Sequence, residues 1–478
     1  MLFSSIPFIF YFLPVFLAVY LASGLRTAVL LVGSLLFYTW GEGAYVLLLG
    51  VLIVINFTLA RHVSEGGARS RQWVLGLSLV LNVGTLGLFK YFDFVIANLR
   101  LLVPALGLEP LGLKLPLGIS FFVFQLVSYQ MDVYFKRVTP EERLARFATY
   151  ILMFPHLIAG PIVRYAEIRE ELASRGWSAR RMDLGAQYFI VGLCQKVLVA
   201  NTLAPMANHA FELAPAALTG PVAWLGALAY TLQIYFDFCG YSNMAIGLAF
   251  LLGFTFPKNF DYPYAARSVT DFWRRWHMSL SFWFRDYVYI PLGGSRLGRL
   301  VTARNLLIVF FLTGLWHGAA WNFIVWGLFH GAFLLIERAG LGVRLARMPG
   351  AVAAAYTLLV VLVGWVFFRA DSFGHATAYI IALFDLSRFT SLDPATRLLL
   401  TPEVLAAFAA GLLFAGPVLP TLLDRLRQVR HGRVATLEPR LDPVHVHRLP
   451  AGVLLLGFVL SVALLVGSSL NPFLYFRF

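Results

Sequence analysis

The chain has 478 residues, of which 59% are hydrophobic and 13% are charged, against about 25% charged residues in an average soluble protein. This composition excludes an ordinary soluble domain and predicts an all-α protein that crosses a membrane several times. The net charge of +14 could indicate a nucleic-acid partner, but the basic residues cluster between apolar runs and no nucleic-acid-reading motif accompanies them. Such clusters are typical of the cytoplasmic loops of membrane proteins.

Apolar runs broken by glycine, proline and charged residues predict membrane segments along the whole chain. They lie near residues 5–23, 27–40, 43–60, 73–97, 115–136, 147–163, 184–205, 222–255, 303–316, 320–337, 351–369, 403–423 and 450–469. The runs 147–163 and 303–316 are shorter than the roughly 20 residues of a simple crossing, so tilted or re-entrant helices are expected. Non-helical backbone at membrane depth requires an internal cavity. We expect about ten to thirteen crossings in a single integral-membrane domain spanning residues 1–478.

Both ends of the chain carry topological signals. The first basic residue is Arg26, so the N-terminal apolar run is expected to be a retained helix and not a cleaved signal peptide. The basic loop at about 425–448 is expected in the cytoplasm, which would leave the final PFLYFRF on the periplasmic side. The two cysteines, Cys194 and Cys239, lie in apolar sequence and imply neither a disulfide framework nor a thiolate metal site.

Two polar islands interrupt apolar sequence in the first half of the chain. FPHLIAGPIVRY places His156 among two prolines and a glycine, which predicts a bend. QIYFDFCGYSNMAIG places Asp237 close to Tyr235 and Asn243. A carboxylate in such a segment should be paired or line water, so Asp237 could orient a histidine or form a structural bond between helices.

The segment at about 257–330 mixes ions with dense aromatics and is the most unusual part of the chain. Its arginines could anchor to lipid headgroups, since the tryptophans and tyrosines around them suit a membrane interface. Alternatively the segment folds into the protein and presents Arg275 and His277 to an anionic donor. If the segment is helical, Trp273 lies one turn from His277 on the same face.

His317 stands in the apolar stretch FLTGLWHGAAWNF, after Trp316. An imidazole there is costly unless it finds a hydrogen bond or a cavity, and such residues usually mark functional sites. The small residues around it would let a helix or a ligand chain come close. A desolvated, neutral imidazole could accept a proton from a hydroxyl. His330 follows about 13 residues later, roughly 20 Å along a continuous helix, which argues against a metal site and favours a structural hydrogen bond.

Seven motifs together carry a resemblance to a known family. They are MLFSS with a following FLP, GISFFVFQLVSYQMDVY, FPHLIAGPIVRY, YFDFCGYSNMAIGLA, NFDYPYAARSVTDFWRRWHMSLSFWFRDYVYIPLGG, GLWHGAAWNFIVWGLFHG and PFLYFRF. In this order and over the whole chain they resemble the membrane-bound O-acyltransferase (MBOAT) family, in the bacterial branch that serves alginate and other glycans. The relatives more often have Ser where Cys239 stands and Asp where Asn243 stands, so a role needing a carboxylate at position 243 is in doubt.

The resemblance implies a helical bundle around a transmembrane catalytic tunnel, with His317 and His277 as the catalytic histidines. It implies transfer of an acetyl group from a cytoplasmic thioester donor, acetyl-CoA, to a polysaccharide or a periplasmic acetyltransferase partner, in the bacterial inner membrane and without a cofactor. Arg275 would hold the donor phosphates, while Trp316, Asp237, Tyr235 and Asn243 would line the tunnel.

Other interpretations remain open at this point. The acceptor could be cellulose or peptidoglycan instead of alginate, and a D-alanyl transfer to teichoic acid would depend on a carrier-protein thioester. From a different class, the protein could be a transporter, which predicts inverted repeats that the sequence does not display. It could also be a scaffold of a polysaccharide export complex, in which loss of the His317 imidazole would be silent.

Overall fold

The computed structural model describes residues 1–104, 107–418 and 449–467, and every regular element in this part of the chain is a helix. The α-helices are α1 (Leu13–Ala22), α2 (Arg26–Glu42), α3 (Tyr45–Glu65), α4 (Ala68–Leu86), α5 (Phe92–Leu102), α6 (Ile119–Tyr134), α7 (Leu144–Leu152), α8 (Phe154–Leu157), α9 (Tyr165–Ala173), α10 (Ala179–Cys194), α11 (Thr202–Glu212), α12 (Gly220–Leu252), α13 (Val269–Arg275), α14 (Met278–Phe284), α15 (Arg299–His317), α16 (Trp321–Ile336), α17 (Gly342–Arg347), α18 (Gly350–Arg369), α19 (Phe373–Phe384), α20 (Pro394–Leu399), α21 (Pro402–Phe414) and α22 (Ala451–Gly467). Short π- or 3-10-helical pieces extend or follow several of them: Pro7–Phe12, Gly87–Tyr91, Gln195–Asn201, Pro263–Ala265, Arg285–Tyr289, Glu337–Leu341 and Leu386–Arg388.

Seven helical stretches of the described residues are long and apolar enough to cross a membrane: Tyr45–Glu65, Ala68–Leu102, Ala179–Glu212, Gly220–Leu252, Arg299–His317, Trp321–Arg347 and Gly350–Arg369. Four shorter apolar stretches accompany them: Pro7–Ala22, Phe373–Phe384, Pro402–Phe414 and Ala451–Gly467. The prediction of an all-α, multi-pass membrane protein is confirmed. The count of ten to thirteen crossings and the internal tunnel stay predictions.

Two of the segments expected to be short have different outcomes. The run 147–163 is broken as predicted, because α7 ends at Leu152 and only the single turn of α8 follows. The run 303–316 was wrongly predicted to be too short, because α15 begins four residues earlier, at Arg299, and reaches 19 residues. The predicted basic loop at 425–448 and the final PFLYFRF lie outside the described residues.

The chain divides into two compact units, one formed by residues 1–186 with 245–257 and the other by residues 187–244 with 258–478. The single domain over residues 1–478 stays a prediction. In the first unit, α3, α4 and α6 pack around buried amides. The side chains of Asn56 and Asn82 donate to each other at 3.0 and 2.8 Å, and Gln130 donates to the Asn56 carbonyl at 2.7 Å. Amides paired in this way tie apolar helices together.

His156 also belongs to the first unit. It lies in α8, fully buried, with Nε2 at 2.7 Å from the carbonyl oxygen of Tyr150. Its ring stacks on Phe256 at 5.2 Å between centroids. The predicted bend is therefore confirmed, and the hydrogen bond to α7 fixes the imidazole inside it.

In the second unit, α15 and α16 form a close antiparallel hairpin. A Cβ atom added at Gly314 would lie 2.3 Å from the carbonyl oxygen of Phe323, and one added at Gly327 would lie 2.2 Å from that of Phe310. Only glycine allows backbones to approach so closely. The small residues predicted to admit a neighbouring helix at this point do so.

The short helix α13 is anchored at its first turn. The Ser268 hydroxyl accepts a hydrogen bond from the backbone N–H of Asp271 at 2.9 Å. The buried Glu337 carboxylate accepts from the backbone N–H groups of Val269 and Thr270 at 2.6 and 2.9 Å. A carboxylate at a helix N-terminus satisfies unpaired N–H groups and favours the helix dipole. The helix that leads to His277 is thus fixed at its start.

Candidate active site

His317 is the last residue of α15, where the chain turns towards α16. Gly318 follows in extended conformation and ends the helix. The imidazole is 6% exposed, and its ring centroid lies 4.8 Å from that of Trp316 and 5.1 Å from those of Trp326 and Phe368. His317 is therefore held in an aromatic environment that excludes most water.

His277 lies between α13 and α14, in the left-handed region with φ 43° and ψ 56°. The segment is therefore not one continuous helix, and the shared helical face considered for Trp273 and His277 does not exist. Backbone pairing with a preceding segment interrupts the helix, since Asp261 donates to the Arg275 carbonyl and Met278 donates to the Asn259 carbonyl, both at 2.9 Å.

The aromatic neighbours of His277 come from other elements of the second unit. Its ring centroid lies 4.6 Å from that of Phe238 in α12 and 6.0 Å from that of Trp316 in α15. The indole of Trp316 therefore contacts both His277 and His317. The structure thus brings His277 together with the neighbouring residues Trp316 and His317 of α15.

The buried His277 side chain has one hydrogen-bond partner on its Nδ1 side. Nδ1 lies 3.1 Å from Oδ1 of Asn259, which is also buried. The amide nitrogen of Asn259 donates to the Ser242 hydroxyl at 3.1 Å. Burial lowers the pKa of His277 to about 3, because desolvation disfavours the imidazolium. His277 is consequently neutral at physiological pH.

The predicted pairing of Asp237 is confirmed. Its carboxylate forms an ion pair with Lys196, in the π-helical piece after α10, and both side chains are almost fully buried. A buried carboxylate needs such a partner, because an isolated charge would be strongly destabilising. Of the two predicted alternatives for Asp237, this contact matches the bond between helices.

Tyr235 and Asn243 lie on the same helix as Asp237. The Asn243 amide donates to Gln195 Oε1 at 2.8 Å, which adds a second polar link to the π-helical piece that carries Lys196. The Tyr235 ring lies 5.9 Å from Phe260 and 6.2 Å from Trp276, between centroids. Tyr235 thereby packs α12 against the segments on both sides of α13, and its predicted role in lining a tunnel stays a prediction.

The Arg275 side chain is held by hydrogen bonds to residues of the surrounding segment. Its Nε donates to Asp271 Oδ1 at 2.9 Å and its Nη1 to the Asp261 carbonyl at 3.3 Å. These bonds hold the turn that leads into His277. Binding of donor phosphates by Arg275 stays a prediction.

A pocket of about 230 Å³ lies between α13–α14 and α15. Its lining is mostly apolar and includes two arginines and one hydroxyl of α15; the lining residues are Thr270, Trp273, Arg274, Leu280, Ser281, Phe284, Arg285, Tyr289, Leu306, Val309, Phe310, Thr313 and Leu334. Thr313 precedes His317 by one helical turn, so the pocket borders the turn of α15 that leads to this histidine. The exposed Arg274 adds positive charge to the lining, whereas the guanidinium of Arg285 donates to the Asp286 carboxylate at 2.7 and 3.1 Å.

His330 was expected to be a structural hydrogen-bonder and is not. Its two ring nitrogens are buried and have no hydrogen-bond partner among the described residues. The imidazole packs against rings instead, 5.2 Å from Trp273 and 5.4 Å from Trp326 between centroids. The separation of roughly 20 Å from His317 held only for a continuous helix. The helix is interrupted between His317 and Trp321, and Trp326 contacts both histidines.

Sequence reasoning missed Asn259 and Lys196. Lys196 could have been found, because it is a lone cation in an apolar run and Asp237 is a lone anion in another. Asn259 gave no comparable signal, since other polar and charged residues stand close to it in the sequence.

Comparison with known proteins identifies the family of the chain. A profile of the membrane-bound O-acyltransferase family (MBOAT) matches residues 142–370, which include both histidines. The chain is 40% identical to probable alginate O-acetylase AlgI proteins of Azotobacter vinelandii and of Pseudomonas putida, each over the full length of both chains. It is 37% identical to a peptidoglycan O-acetyltransferase of Helicobacter pylori, over 78% of this chain and 77% of the relative.

Full-length identity of this size leaves no part of the chain outside the relationship. The seven membrane-length helical stretches in the described part of the chain agree with a multi-pass membrane protein. The protein is thus an O-acyltransferase of the membrane, and the chain belongs to the membrane-bound O-acyltransferase family.

Proposed function

We propose that the protein transfers an acetyl group from acetyl-CoA, on the cytoplasmic side of the bacterial inner membrane, for the O-acetylation of an exopolysaccharide such as alginate. The observation that carries this proposal is the pair of buried imidazoles, His277 and His317, which contact one indole. Similarity to probable alginate O-acetylases over the full length supports the substrate class.

In the proposed reaction His317 is the general base. Its imidazole takes the proton of the acceptor hydroxyl while the hydroxyl oxygen attacks the thioester carbonyl carbon. The carbon–sulfur bond then breaks, and the proton passes from the imidazolium to the leaving thiolate. The aromatic rings around His317 keep water from competing for the acyl group.

The pocket beside α15 is the proposed site for the donor chain. Coenzyme A carries its thioester on a long arm that ends in phosphates, and the pocket joins apolar walls to the exposed Arg274. Arginine suits phosphate because its guanidinium donates two parallel hydrogen bonds. Arg275 would contribute indirectly, because its ion pair with Asp271 holds the turn between α13 and α14.

The acceptor hydroxyl would arrive from the periplasmic side, on the polysaccharide or on a periplasmic acetyltransferase partner that passes the acetyl group on. A second candidate acceptor is peptidoglycan, because the Helicobacter pylori relative carries that name. A D-alanyl donor on a carrier protein and a non-catalytic scaffold are the further alternatives that the experiments below separate.

The first experiment measures O-acetyl groups per sugar residue in the exopolysaccharide of a strain lacking the gene, complemented with wild type or His317→Ala. We expect the variant to lose about 100-fold or more of the acetylation, as removal of a general base does. Membrane levels of the proteins are compared by immunoblot. His62→Ala is the matched control, since His62 lies exposed near the end of α3.

Normal acetylation by His317→Ala at an equal membrane level would contradict the proposal and favour the scaffold. A second experiment gives inverted membrane vesicles [14C]acetyl-CoA and counts the label in the acceptor fraction. Label that appears with wild type and not with His317→Ala supports acetyl-CoA as donor. Transfer that requires a D-alanyl carrier-protein thioester instead would overturn the acetyl assignment.

A further inference from the structure

Asn259 contacts His277 through both its side chain and its backbone. Asn259 Oδ1 lies 3.1 Å from Nδ1 of His277, and the Asn259 carbonyl accepts from the backbone N–H of Met278 at 2.9 Å. One residue therefore holds the ring and the peptide that follows it. Both Asn259 and His277 are 1% exposed, so no bulk water competes for these bonds.

One neighbour of the Asn259 side chain can only donate hydrogen bonds, and this neighbour fixes which amide atom is the oxygen. The backbone N–H of Ser279 points at the same Asn259 atom at 3.3 Å, and the Ser279 hydroxyl lies 2.9 Å from it. Because a backbone N–H only donates, this atom must be the amide oxygen. The amide nitrogen then faces the Ser242 hydroxyl, which can accept.

The amide orientation determines the tautomer of His277. An oxygen at 3.1 Å from Nδ1 can only accept, so Nδ1 carries the proton of the neutral imidazole. Nε2 then carries the lone pair. Nε2 is buried and has no hydrogen-bond partner among the described residues, and the His277 ring contacts Trp316, the neighbour of His317.

We propose that Asn259 is a positioning residue for acyl transfer, holding His277 in the Nδ1–H tautomer so that Nε2 accepts a hydrogen bond from a bound substrate. This inference rests on the proposed function, because it assumes that substrate reaches the two histidines. Asn259 itself does not touch the reacting atoms.

Several charged groups on the elements around His277 are already paired. On α12, Asp237 pairs with Lys196. Lys258 pairs with Asp261 at 2.7 Å beside Asn259, and Arg275 pairs with Asp271 at 2.9 Å on α13. The other titratable groups on these elements include Tyr235, Cys239 and Tyr241 on α12, Arg274 on α13, Arg285 with Asp286 after α14, and Arg299, Arg304 and His317 on α15. A carboxylate at position 259 would replace the oxygen that lies 3.1 Å from Nδ1, so it would contact the His277 imidazole directly.

The test compares Asn259→Leu, which removes the acceptor, with Asn259→Asp, which keeps it. Solid-state 15N NMR of histidine-labelled protein in proteoliposomes reads the tautomer, and His277→Gln identifies the signal by its loss. Transfer from [14C]acetyl-CoA in inverted vesicles is measured from pH 5 to 9. Asn305→Leu is the control, because Asn305 is a buried amide that donates to the carbonyls of Leu292 and Gly294.

We expect wild type to show Nδ1 protonated and Nε2 unprotonated, and Asn259→Leu to show a mixture of tautomers. Transfer by Asn259→Leu should fall roughly 10- to 100-fold at every pH, as loss of an orienting partner does. Asn259→Asp should recover activity at alkaline pH. A carboxylate raises the pKa of the imidazole that it faces, so this recovery should be lost as the pH falls and His277 is protonated.

Equal activities of the Leu and Asp variants at every pH, with an unchanged tautomer, would overturn the proposal. If Asn259→Leu does not reach the membrane, the test uses Asn259→Asp alone. Recovery of transfer activity by Asn259→Asp at alkaline pH supports the proposal. A loss of transfer activity that is equal at every pH overturns it. Failure of the proposed function looks different. In that case His317→Ala would keep its activity, whatever the tautomer of His277.

Discussion

The indole of Trp316 lies 6.0 Å from the imidazole of His277, between ring centroids, although the two residues belong to different segments. Trp316 also precedes His317 on α15 and contacts its ring. The relative position of the two histidines therefore depends on the volume and orientation of one side chain.

Replacement of Trp316 should disturb this arrangement in proportion to the ring that is lost. Trp316→Ala should lower O-acetyl content at least tenfold and cost about 3–5 kcal/mol of stability, as loss of a buried aromatic ring does. Trp316→Phe retains a ring and should keep most of the O-acetyl content and most of the stability. Acetylation is normalised to membrane protein level, and Trp73→Ala, at an exposed tryptophan, serves as control. Equal activity of the Ala and Phe variants would refute a spacing role.

The stability of the protein should depend on pH through His277. Its pKa is lowered by burial to about 3, below the usual value near 6.5. Between these pH values the unfolded chain binds a proton at His277 that the folded chain does not. The folded state therefore suffers no loss of stability from His277 above pH 6.5 and is destabilised as the pH falls below it. The loss attributable to His277 should reach about 2 kcal/mol at pH 5.

The measurement is the apparent Tm of wild type and His277→Gln in detergent from pH 8 to 5. The Tm of wild type should fall relative to that of the variant as the pH decreases. A difference between the two Tm values that stays constant over this range would mean that His277 does not resist protonation. His62→Gln, at an exposed histidine, controls for loss of an imidazole in general.

The buried ion pair of Lys196 and Asp237 should be more sensitive to single than to double substitution. Lys196→Met leaves the carboxylate without its partner and should cost about 3–5 kcal/mol, as breaking a buried pair does. The double variant Lys196→Met with Asp237→Leu removes both charges and should be milder. Membrane level and apparent Tm give the double-mutant cycle. Additive losses would show that the two charges do not depend on each other.

The α15–α16 hairpin should be destabilised by the addition of one methyl group at Gly314. The added Cβ would lie 2.3 Å from the backbone oxygen of Phe323, which cannot move without shifting α16. We expect Gly314→Ala to lose about 1–3 kcal/mol and to lower acetylation, because His317 follows on the same helix. Gly50→Ala is the control, since nothing lies within 4 Å of a Cβ there. Equal Tm values for the two variants would contradict this packing.

Local sequence signals predicted the features that are themselves local. Apolar runs predicted the helices, a proline–glycine motif predicted the bend at His156, and a lone carboxylate in an apolar run predicted a paired Asp237. His317 stood out for the same reason. Each of these follows from the cost of burying a polar group or from chain geometry, which a short window contains.

Features set by distant contacts could not be predicted in this way. The break at His277 arises because residues 259–261 pair with the backbone of residues 275–278, and no property of FWRRWH alone requires it. The surroundings of His330 depend on the reversal between α15 and α16, which a helix-length estimate cannot contain. Asn259 is recognised only once its donors are located in space.

The left-handed backbone of His277 has a consequence for how this position can vary. A residue with a Cβ atom in this conformation costs about 1–2 kcal/mol, and glycine would relieve that cost. Glycine at position 277 would also remove a buried ring that packs against Phe238 and Trp316, and the cavity left behind costs more than the strain that glycine relieves. Selection for stability and selection for turnover should therefore both retain a side chain at this position.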